Sequence, residues 1–547
     1  MDSAEKNSAF DKRLKRQVIG KPHRFLAVVP LGFEKTFVRE MDFLRRESVE
    51  NQGTSSLDIK IAGDGKVEFT AKLVDAWKVV AYSRIANRIL MHIADFKAEN
   101  FRELEKKAAE IPWELYLDEK HGSALRQSSG TSQQVSIHVT CKHSRLYHSD
   151  AVAERLQKVI EGGSLPLAAA PAGSSATPSA GGQHLATCCP SAHGPRMGRT
   201  PRNAPKSEKI VPSQNLYVTL IDDRCTLWLD LAGEELYKRG HERFVNDAPL
   251  KETIAAAMLQ EAFNAVTLTT NHQPLITLID PMAGSGTFSL EAAYMANGLI
   301  PGKCRDFALK HQPAFKPATW NHIVNSVNAK PNPSLRRNDD TELSLRRNDD
   351  SILSLQGNDD SILSLQRNDD TELSLQRNEV TAAIKSTIQK IITSDISEKA
   401  VSIITHNVGC SPLADIAPSA NAPTVNPQLR DFFSYTAKEI AELCGESSPV
   451  IVLNPPYGKR LDFDAPKLYT QIGKKFAELA RELAALGKQL TVAIFAPKDD
   501  SRPGSKYTCT ANLLHECPAL NPQQNSDAKN IVTSHGGLSL NAIIARI

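Results

Sequence analysis

The stretch LITLIDPMAGSGTFSLEAA, residues 275–293, decides the fold of this chain. An apolar run ends at Asp280, a loop with Gly284 and Gly286 follows, and an apolar, helix-like segment comes after the loop. A buried strand, a glycine-containing turn and a helix in this order form the nucleotide-binding unit of doubly wound α/β sheets. The stretch therefore predicts a site for a nucleotide-like cofactor.

The loop differs from the two commonest nucleotide-binding loops. Ser289 stands where a dinucleotide fingerprint has its third glycine, and no Gly-Lys-Ser/Thr follows as it does in a P-loop. The glycines Gly284 and Gly286 still let the backbone approach a ligand closely, and the amides of a helix N-terminus can face it. The carboxylate of Asp280 suits a ligand that carries an ammonium group rather than a pyrophosphate. A purely structural tight turn is the alternative interpretation of this loop.

A second motif, VLNPPYGKRL at Val452–Leu461, follows another apolar strand. Prolines lack an amide hydrogen, so the carbonyls of Asn454 and Pro455 stay free as acceptors. Together they can hold the exocyclic amino group of a base, while Tyr457 stacks on its ring. A proline turn is the structural alternative, and the glycine loop nearby favours the catalytic interpretation. The candidate catalytic residues are Asn454, Pro455, Pro456 and Tyr457.

Strands and helices alternate through the C-terminal half of the chain. Apolar strands such as LITLID and PVIVLN are separated by helix-like stretches such as ISEKAVSIITHNV, and the sequence ends with the strand LNAIIARI. This alternation predicts an α/β fold with a doubly wound, mostly parallel sheet and an antiparallel edge strand at its end. The N-terminal half mixes strands and helices, including a helix predicted around 83–94, and is typical of an α+β fold.

Two segments interrupt the globular pattern. Residues 162–208 are rich in Gly, Pro, Ala and Ser, a composition that buries too little apolar surface to offset the entropy of ordering. Residues 334–379 repeat a decapeptide, first as SLRRNDDTEL, with a period shorter than the 20 to 50 residues of common repeat folds. We interpret the first as a flexible insertion and the second as a tolerated surface insertion. A partner-binding array is the alternative for the repeat.

Composition narrows the class of protein. A chain of 547 residues suggests three or four domains, and a net charge of +3 permits binding to nucleic acid without requiring it. The nine cysteines include no C-x-x-C pair, which indicates reduced thiols rather than a zinc site or a disulfide framework. No apolar run approaches the ~20 residues of a membrane span, and the polar N-terminus is unlike a secretory signal. We therefore expect a cytoplasmic protein with no metal and no membrane partner.

Together these motifs resemble class I S-adenosylmethionine-dependent methyltransferases that act on exocyclic amines of nucleobases. DPMAGSGT matches the glycine loop of that family, SDISEKAV the end of its second strand, and LRDFFS the end of its third. The family pattern has an aromatic residue and a cysteine where this chain has Met282 and Ala283, a departure that changes loop packing more than ligand chemistry. The resemblance implies S-adenosylmethionine as cofactor, with Asp395 at its ribose and Asp431 at its adenine amino group. The implied cofactor-binding residues are Asp280, Pro281, Gly284, Ser285, Gly286, Thr287, Asp395 and Asp431.

The N-terminal half is similar to the ferredoxin-like region and THUMP domain of RNA-modifying enzymes. The similarity rests on FLAVVPLGFEKTFVREM, on the region from AYSRIANRILM to WELYL, and on CKHSRLYHSDAVAERLQKVI. It implies that basic side chains of this half contact RNA phosphates. The candidate RNA-binding residues are Arg84, Arg88, Lys142 and Arg145. The predicted organisation is a basic tail at 1–22, a ferredoxin-like region at 23–70, a THUMP RNA-binding domain at 71–231 with the flexible insertion 162–208, and a Rossmann-like methyltransferase domain at 232–547 with the repeat insertion 330–380.

The segment joining the two halves of the chain resembles one particular group within this class of methyltransferases. LDLAGEELYKRGHER and APLKETIAAAML are similar to the linker and first helix of bacterial 23S rRNA guanine-N(2)-methyltransferases, whose motif has Tyr where His241 stands. We therefore expect methylation of a guanine amino group in 23S rRNA, and no second methyltransferase domain of the kind that larger family members carry. A tRNA guanine-N(2)-methyltransferase is the alternative within this class. A non-catalytic RNA-binding ribosome-assembly factor is the alternative from another class.

Overall fold

The computed structural model describes residues 3–49, 58–117, 135–162, 214–245, 249–267, 275–326, 388–416, 423–457, 464–499 and 508–547. The decapeptide repeat, and the flexible insertion apart from residue 162, lie outside the described residues. The strands are β1 (Pro22–Val28), β2 (Asp58–Gly63), β3 (Lys66–Lys72), β4 (Arg88–Lys97), β5 (Ser136–Lys142), β6 (Asn215–Ile221), β7 (Arg224–Asp230), β8 (Ile276–Asp280), β9 (Ile388–Asp395), β10 (Pro427–Leu429), β11 (Ser448–Leu453), β12 (Thr491–Pro497), β13 (Lys529–His535) and β14 (Leu538–Arg546). The α-helices are α1 (Ser3–Leu14), α2 (Glu34–Val49), α3 (Leu73–Tyr82), α4 (Phe101–Ala109), α5 (Ser149–Gly162), α6 (Glu252–Thr267), α7 (Thr287–Ala296), α8 (Pro317–Ser326), α9 (Glu398–Gly409), α10 (Ala437–Cys444), α11 (Ala465–Ala485) and α12 (Cys509–Glu516).

Strands β1 to β7 form the N-terminal sheet, in the order β2-β3-β1-β4-β7-β6-β5. The predicted boundary at residue 70 falls within β3, and β4, predicted to belong to the THUMP domain, pairs with β1. The two predicted N-terminal regions therefore share one sheet, and their division into domains stays a prediction. Strands β6 and β7 form a hairpin, and both residues of its turn, Asp222 and Asp223, have positive φ.

The helix predicted around 83–94 is wrong. Helix α3 ends before Ser83, and Arg88–Lys97 is strand β4, which lies between β1 and β7. Leu90 and Met91 are buried in this strand. A continuous apolar run can belong to either a buried strand or a helix, so its periodicity alone did not distinguish the two.

The prediction of a basic tail is wrong for residues 3–19, which are helical. Helix α1 continues into a π-helical turn, Lys15–Ile19. Leu14 and Val18 are buried in the apolar core, and Arg13 forms an ion pair with Glu114 (2.9 Å). The apolar residues between the charges therefore anchor this segment to the protein.

Strands β8 to β14 form the C-terminal sheet, in the order β10-β9-β8-β11-β12-β14-β13. The pairs β10–β9, β9–β8, β8–β11 and β11–β12 are parallel, whereas β14 is antiparallel to both of its neighbours. This confirms the predicted doubly wound, mostly parallel sheet. The last strand is antiparallel as predicted, but β13 rather than β14 lies at the edge. Chain order reverses between β8 and β11, and such a reversal is where doubly wound sheets bind ligands.

The two sheets share one continuous apolar core. Buried residues from both, including Phe25 and Val452, belong to the same cluster. Polar contacts join α6 to the N-terminal half: Thr36 Oγ1 donates to Glu261 Oε1 (2.5 Å), and Thr253 Oγ1 donates to Asn87 Oδ1 (2.7 Å). The shared core and these polar contacts therefore hold the C-terminal sheet in a fixed position relative to the N-terminal sheet.

The cysteines that the structure describes form no disulfide bonds. Cys141, Cys225, Cys304, Cys410, Cys444, Cys509 and Cys517 are all free. Cys188 and Cys189 lie outside the described residues. Among the described helices, none combines the length and the apolar character needed to cross a membrane.

Candidate active site

Both sequence motifs lie at the carboxyl edge of the C-terminal sheet, at its point of chain reversal. Asp280 is the last residue of β8, and Asn454 follows the last residue of β11. The two strands are parallel neighbours, with Ile279 opposite Ile451. The glycine loop and the Asn-Pro-Pro-Tyr motif are therefore brought side by side, as the sequence predicted, where parallel sheets place their ligands.

The two oxygens of the buried carboxylate Asp280 differ in their hydrogen bonds: Oδ2 accepts from Ser289, and Oδ1 has no partner among the described residues. Its Oδ2 accepts hydrogen bonds from the backbone N (3.2 Å) and the Oγ (2.8 Å) of Ser289. Its Oδ1 is buried and has no hydrogen-bond partner among the described residues. Burial raises the pKa of Asp280 to about 7, although the Ser289 hydrogen bonds act in the opposite direction. A buried carboxylate oxygen of this kind calls for a donor from a ligand, and an ammonium group satisfies it.

Ser289 explains why the third glycine of the fingerprint is missing. Its side chain is fully buried, and its Oγ accepts from Thr393 Oγ1 (2.7 Å) while donating to Asp280. A glycine would leave Asp280 Oδ2 with only the backbone donor. The serine therefore links the ends of β8 and β9 and fixes the orientation of the acid.

The two glycines of the loop have different roles. Both have positive φ, +58° at Gly284 and +79° at Gly286. A Cβ at Gly286 would meet Ile404 side-chain atoms at 3.1 Å, so this glycine permits close packing of α9. A Cβ at Gly284 would point into space, with no described heavy atom within 4 Å. Gly284 therefore lines open volume beside the loop, whereas Gly286 is needed for packing.

The two acids implied for the ribose and the adenine organise their own backbone. Asp395 Oδ2 accepts from Gly284 N (2.9 Å), and its Oδ1 accepts from Ser397 N (2.9 Å). Asp431 Oδ1 accepts from Phe433 N (3.0 Å) at the start of a short 3-10 helix. Asp395 therefore fixes the glycine loop directly. The contacts of both acids with a cofactor stay predictions.

The Asn-Pro-Pro-Tyr motif presents an unmatched acceptor. Asn454 Oδ1 is buried and finds no hydrogen-bond partner within the described part of the chain. Pro455 is buried, Pro456 is exposed, and Tyr457 is half-buried against the main apolar core. A buried amide oxygen is costly to leave without a donor, so the motif is built to receive one.

The structure contradicts the prediction that Arg84 and Arg88 contact RNA phosphates. Arg84 is largely buried, pairs with Glu291 (3.6 Å) and donates to backbone carbonyls of α7 and the segment after it. Arg88 pairs with the buried Asp230 (2.7 Å) and donates to the Gly233 carbonyl (2.9 Å). Both guanidinium groups satisfy buried acceptors inside the protein.

Lys142 and Arg145 remain candidates for RNA binding. The side chains of both are exposed, and Arg145 also pairs with Glu99 and Asp223 on the protein surface. Exposed ion pairs contribute little to stability, so Arg145 can exchange its carboxylate partners for an RNA phosphate at little cost in free energy. Lys142 and Arg145 both lie next to the β6–β7 turn. In the sequence they are distant from the glycine loop.

Sequence reasoning missed Arg243, which contacts the glycine loop from the linker. Its Nη2 donates to Ser285 Oγ (3.2 Å) and also contacts Thr287 Oγ1. Asn407 of α9 holds the adjoining backbone, donating to the carbonyls of Phe244 (2.9 Å) and Ser285 (3.1 Å). The sequence does offer a sign of this residue: Arg243 is the last residue of the basic linker stretch KRGHER, shortly before α6.

Comparison with known proteins agrees with this geometry. Residues 239–496 match the UPF0020 family, described as the RMKL-like methyltransferase domain. The chain is 29% identical over 245 residues to the ribosomal RNA large subunit methyltransferase K/L of Alteromonas mediterranea, covering 45% of this chain and 28% of that protein. It is 28% identical over 288 residues to the protein of the same name from Methylococcus capsulatus, covering 52% and 30%. The chain thus spans less than a third of the length of these relatives.

The fold comparison extends over nearly the whole chain. The crystal structure of SMU.472 in complex with SAH superposes with a TM-score of 0.56 at 18% identity, covering 96% of this chain and 98% of that one. At this identity the likeness concerns the fold alone, and it includes both sheets. The family match over residues 239–496 confirms the methyltransferase resemblance for that part of the chain. The assignment of the N-terminal half as a THUMP module stays a prediction.

Proposed function

We propose that the RMKL-like methyltransferase domain at residues 239–496 methylates the exocyclic amino group of a guanine in RNA, with 23S rRNA as the first candidate substrate. The observation that carries this proposal is the buried, unmatched Oδ1 of Asn454, which no described residue satisfies. Its position at the carboxyl end of β11, next to the glycine loop, puts an amine acceptor beside a cofactor site. The two named relatives act on ribosomal RNA by name, which supports RNA as the substrate class.

The methyl donor is S-adenosylmethionine, and the residues present fit its amino-acid part. Asp280 Oδ1 is a buried acceptor without a described partner, which matches an ammonium group. The open volume beside Gly284 leaves room for a ligand close to the backbone. SMU.472, which shares the fold, is complexed with S-adenosylhomocysteine (SAH), the product of such a reaction.

The chain's residues serve to position the base. When bound, S-adenosylmethionine supplies an electrophilic methyl group on a sulfonium. Asn454 Oδ1 and the Pro455 carbonyl accept the two hydrogens of the guanine amino group and so direct its nitrogen lone pair toward that methyl group. The base must leave its stack to reach this edge of the sheet, and Tyr457 then stacks on it. Positioning and electrostatics supply most of the rate in such a transfer.

The substrate is tested by mapping methylated guanines in rRNA and tRNA from cells with and without this protein. We expect one methylated guanine of 23S rRNA to disappear when the protein is absent. Loss of a guanine modification only in tRNA would favour the tRNA alternative. Calorimetry with S-adenosylmethionine separates both enzymes from a non-catalytic assembly factor, because such a factor need not bind the cofactor.

Cofactor affinity should depend on pH through Asp280. The carboxyl group, with a pKa of about 7, binds a proton below that pH in the free protein, whereas a bound ammonium favours the carboxylate. Binding therefore releases a proton, and SAH affinity should rise roughly eightfold from pH 6 to pH 7.5 and then level off. Isothermal titration across this range measures the effect.

The control ligand for this pH series is 5′-methylthioadenosine, which lacks the ammonium group. Its affinity should stay constant over the same range. The variant Asp280→Asn should bind SAH weakly and without pH dependence. A wild-type affinity for SAH that does not change with pH would show that Asp280 does not receive the ammonium.

Tyr457 should contribute to RNA capture through its ring. Tyr457→Ala should weaken capture of the flipped base by ~1–3 kcal/mol, seen as a higher KM for RNA. Tyr457→Phe should be mild because the ring face remains. Equal defects in the two variants would assign the role to the hydroxyl group instead.

A further inference from the structure

The guanidinium group of Arg243 lies against the first turn of α7, which follows the glycine loop. Its Nη2 contacts the hydroxyl groups of Ser285 (3.2 Å) and Thr287, and its Nη1 contacts Glu252 of α6. Ser285 and Thr287 are themselves buried, and the Arg243 side chain is 11% exposed. Burial lowers the pKa of Arg243 to about 10, so the group remains a cation at neutral pH.

Arg243 retains one donor that no described residue accepts from. An arginine has five N–H donors in a rigid, planar fork. The two Nη atoms serve Glu252, Ser285 and Thr287, whereas the Nε is buried without a hydrogen-bond partner among the residues described. A buried charged donor left unmatched is unfavourable, so this nitrogen calls for an acceptor from a ligand.

Two further features of the same loop point to the kind of ligand. Helix α7 is 10 residues long, and the N-terminus of such a helix favours a negative group, although the amide of Ser289 in its first turn already donates to Asp280 Oδ2. Asp280, 1% exposed, is hydrogen-bonded to Ser289 in this helix and offers the unmatched oxygen that suits an ammonium. A cation and an anion that both contact the start of one helix match the two charges of an α-amino acid.

We propose that Arg243, with the hydroxyl groups of Ser285 and Thr287, binds the carboxylate of the methionine part of S-adenosylmethionine, opposite the ammonium at Asp280. The inference rests on the proposed cofactor and extends it to a residue from the linker. Glu252 keeps the guanidinium in place without consuming its Nε donor. Because Arg243 precedes α6, it also connects cofactor binding to the segment that joins the two halves of the protein.

The test compares S-adenosylmethionine with its decarboxylated form, S-adenosyl-3-methylthiopropylamine. Both carry the ammonium and the sulfonium, and only the first carries the carboxylate. In the full-length protein, Arg243→Met should weaken S-adenosylmethionine binding about 10- to 100-fold, the range expected for a lost charge-assisted hydrogen bond. Binding of the decarboxylated form should change less than about threefold, since it has no group for Arg243 to contact.

A matched control is Arg305→Met. Arg305 is another buried arginine whose pKa is lowered to about 10, and it donates to the backbone carbonyls of Glu235 (2.6 Å) and Glu234 (2.8 Å). Its loss should leave the affinity ratio of the two ligands unchanged. If Arg243→Met does not fold, Arg243→Lys provides the same comparison with a cation retained, and a selective loss of affinity for S-adenosylmethionine is again expected.

Three results would overturn the inference. Equal weakening of both ligands would mean that Arg243 only supports the glycine loop. Unchanged binding of S-adenosylmethionine would mean that its carboxylate lies elsewhere. A wild-type protein that binds neither ligand would overturn the proposed cofactor and this assignment with it, an outcome separate from any defect of the variants.

Discussion

Replacing Asn454 by alanine is expected to slow methyl transfer by ~100-fold or more while leaving cofactor affinity nearly unchanged. The substitution removes the buried Oδ1, which has no partner among the described residues and so remains available to the target amine. The glycine loop is left intact because Asp280, Ser289 and Asp395 hold it independently. Single-turnover transfer to unmodified 23S rRNA measures the chemical step, with SAH titration in parallel.

Asn541→Ala is a matched control for this prediction. Asn541 is a buried asparagine of the same sheet, and its Nδ2 donates to Thr510 Oγ1 (3.1 Å), so its amide has a partner within the fold. We expect wild-type transfer rates from this variant at a temperature where it is folded. Wild-type transfer by Asn454→Ala would mean that another group holds the amine.

Replacing Gly284 by valine is expected to abolish cofactor binding. The side chain would project into the open volume beside the loop, where no described atom lies within 4 Å of the Cβ. A positive φ of +58° also strains any β-branched residue there, so bulk and strain must be separated. Calorimetric titration with SAH measures the loss.

Gly536→Val separates the two effects. Gly536 has the same φ of +58° and an equally open Cβ position, but it lies in the β13–β14 turn. This variant should carry a similar backbone strain and bind SAH as the wild type does. Undiminished SAH binding by Gly284→Val, or an equal loss in both variants, would contradict the placement of the cofactor at this loop.

The core of the site could be predicted from the sequence because its signals are local. The glycine loop and the Asn-Pro-Pro-Tyr motif each combine a strand end with its functional residues in one short segment. A parallel sheet then places those ends side by side. The part of the fold that follows from alternation of strands and helices was predicted for the same reason.

The features that the sequence analysis did not predict depend on contacts between residues that are far apart in the sequence. Arg88 was expected to face RNA, yet its partner Asp230 lies 142 residues away and is buried. Arg243 contacts Thr287 across 44 residues, through hydroxyl groups that carry no local pattern. Strand β4 was predicted to be a helix because its apolar run is buried in the middle of a sheet, where neither periodicity is visible.

The chemical identity of the methylated nucleoside tests the account most directly. Wild-type protein is incubated with S-adenosylmethionine carrying a labelled methyl group and with unmodified 23S rRNA, and the RNA is digested to nucleosides for mass spectrometry. Asn454 Oδ1 and the Pro455 carbonyl act as acceptors for an amine, so the label should appear in N2-methylguanosine. Label in N7-methylguanosine would contradict the account, because that ring nitrogen has no hydrogens for these two carbonyls to hold.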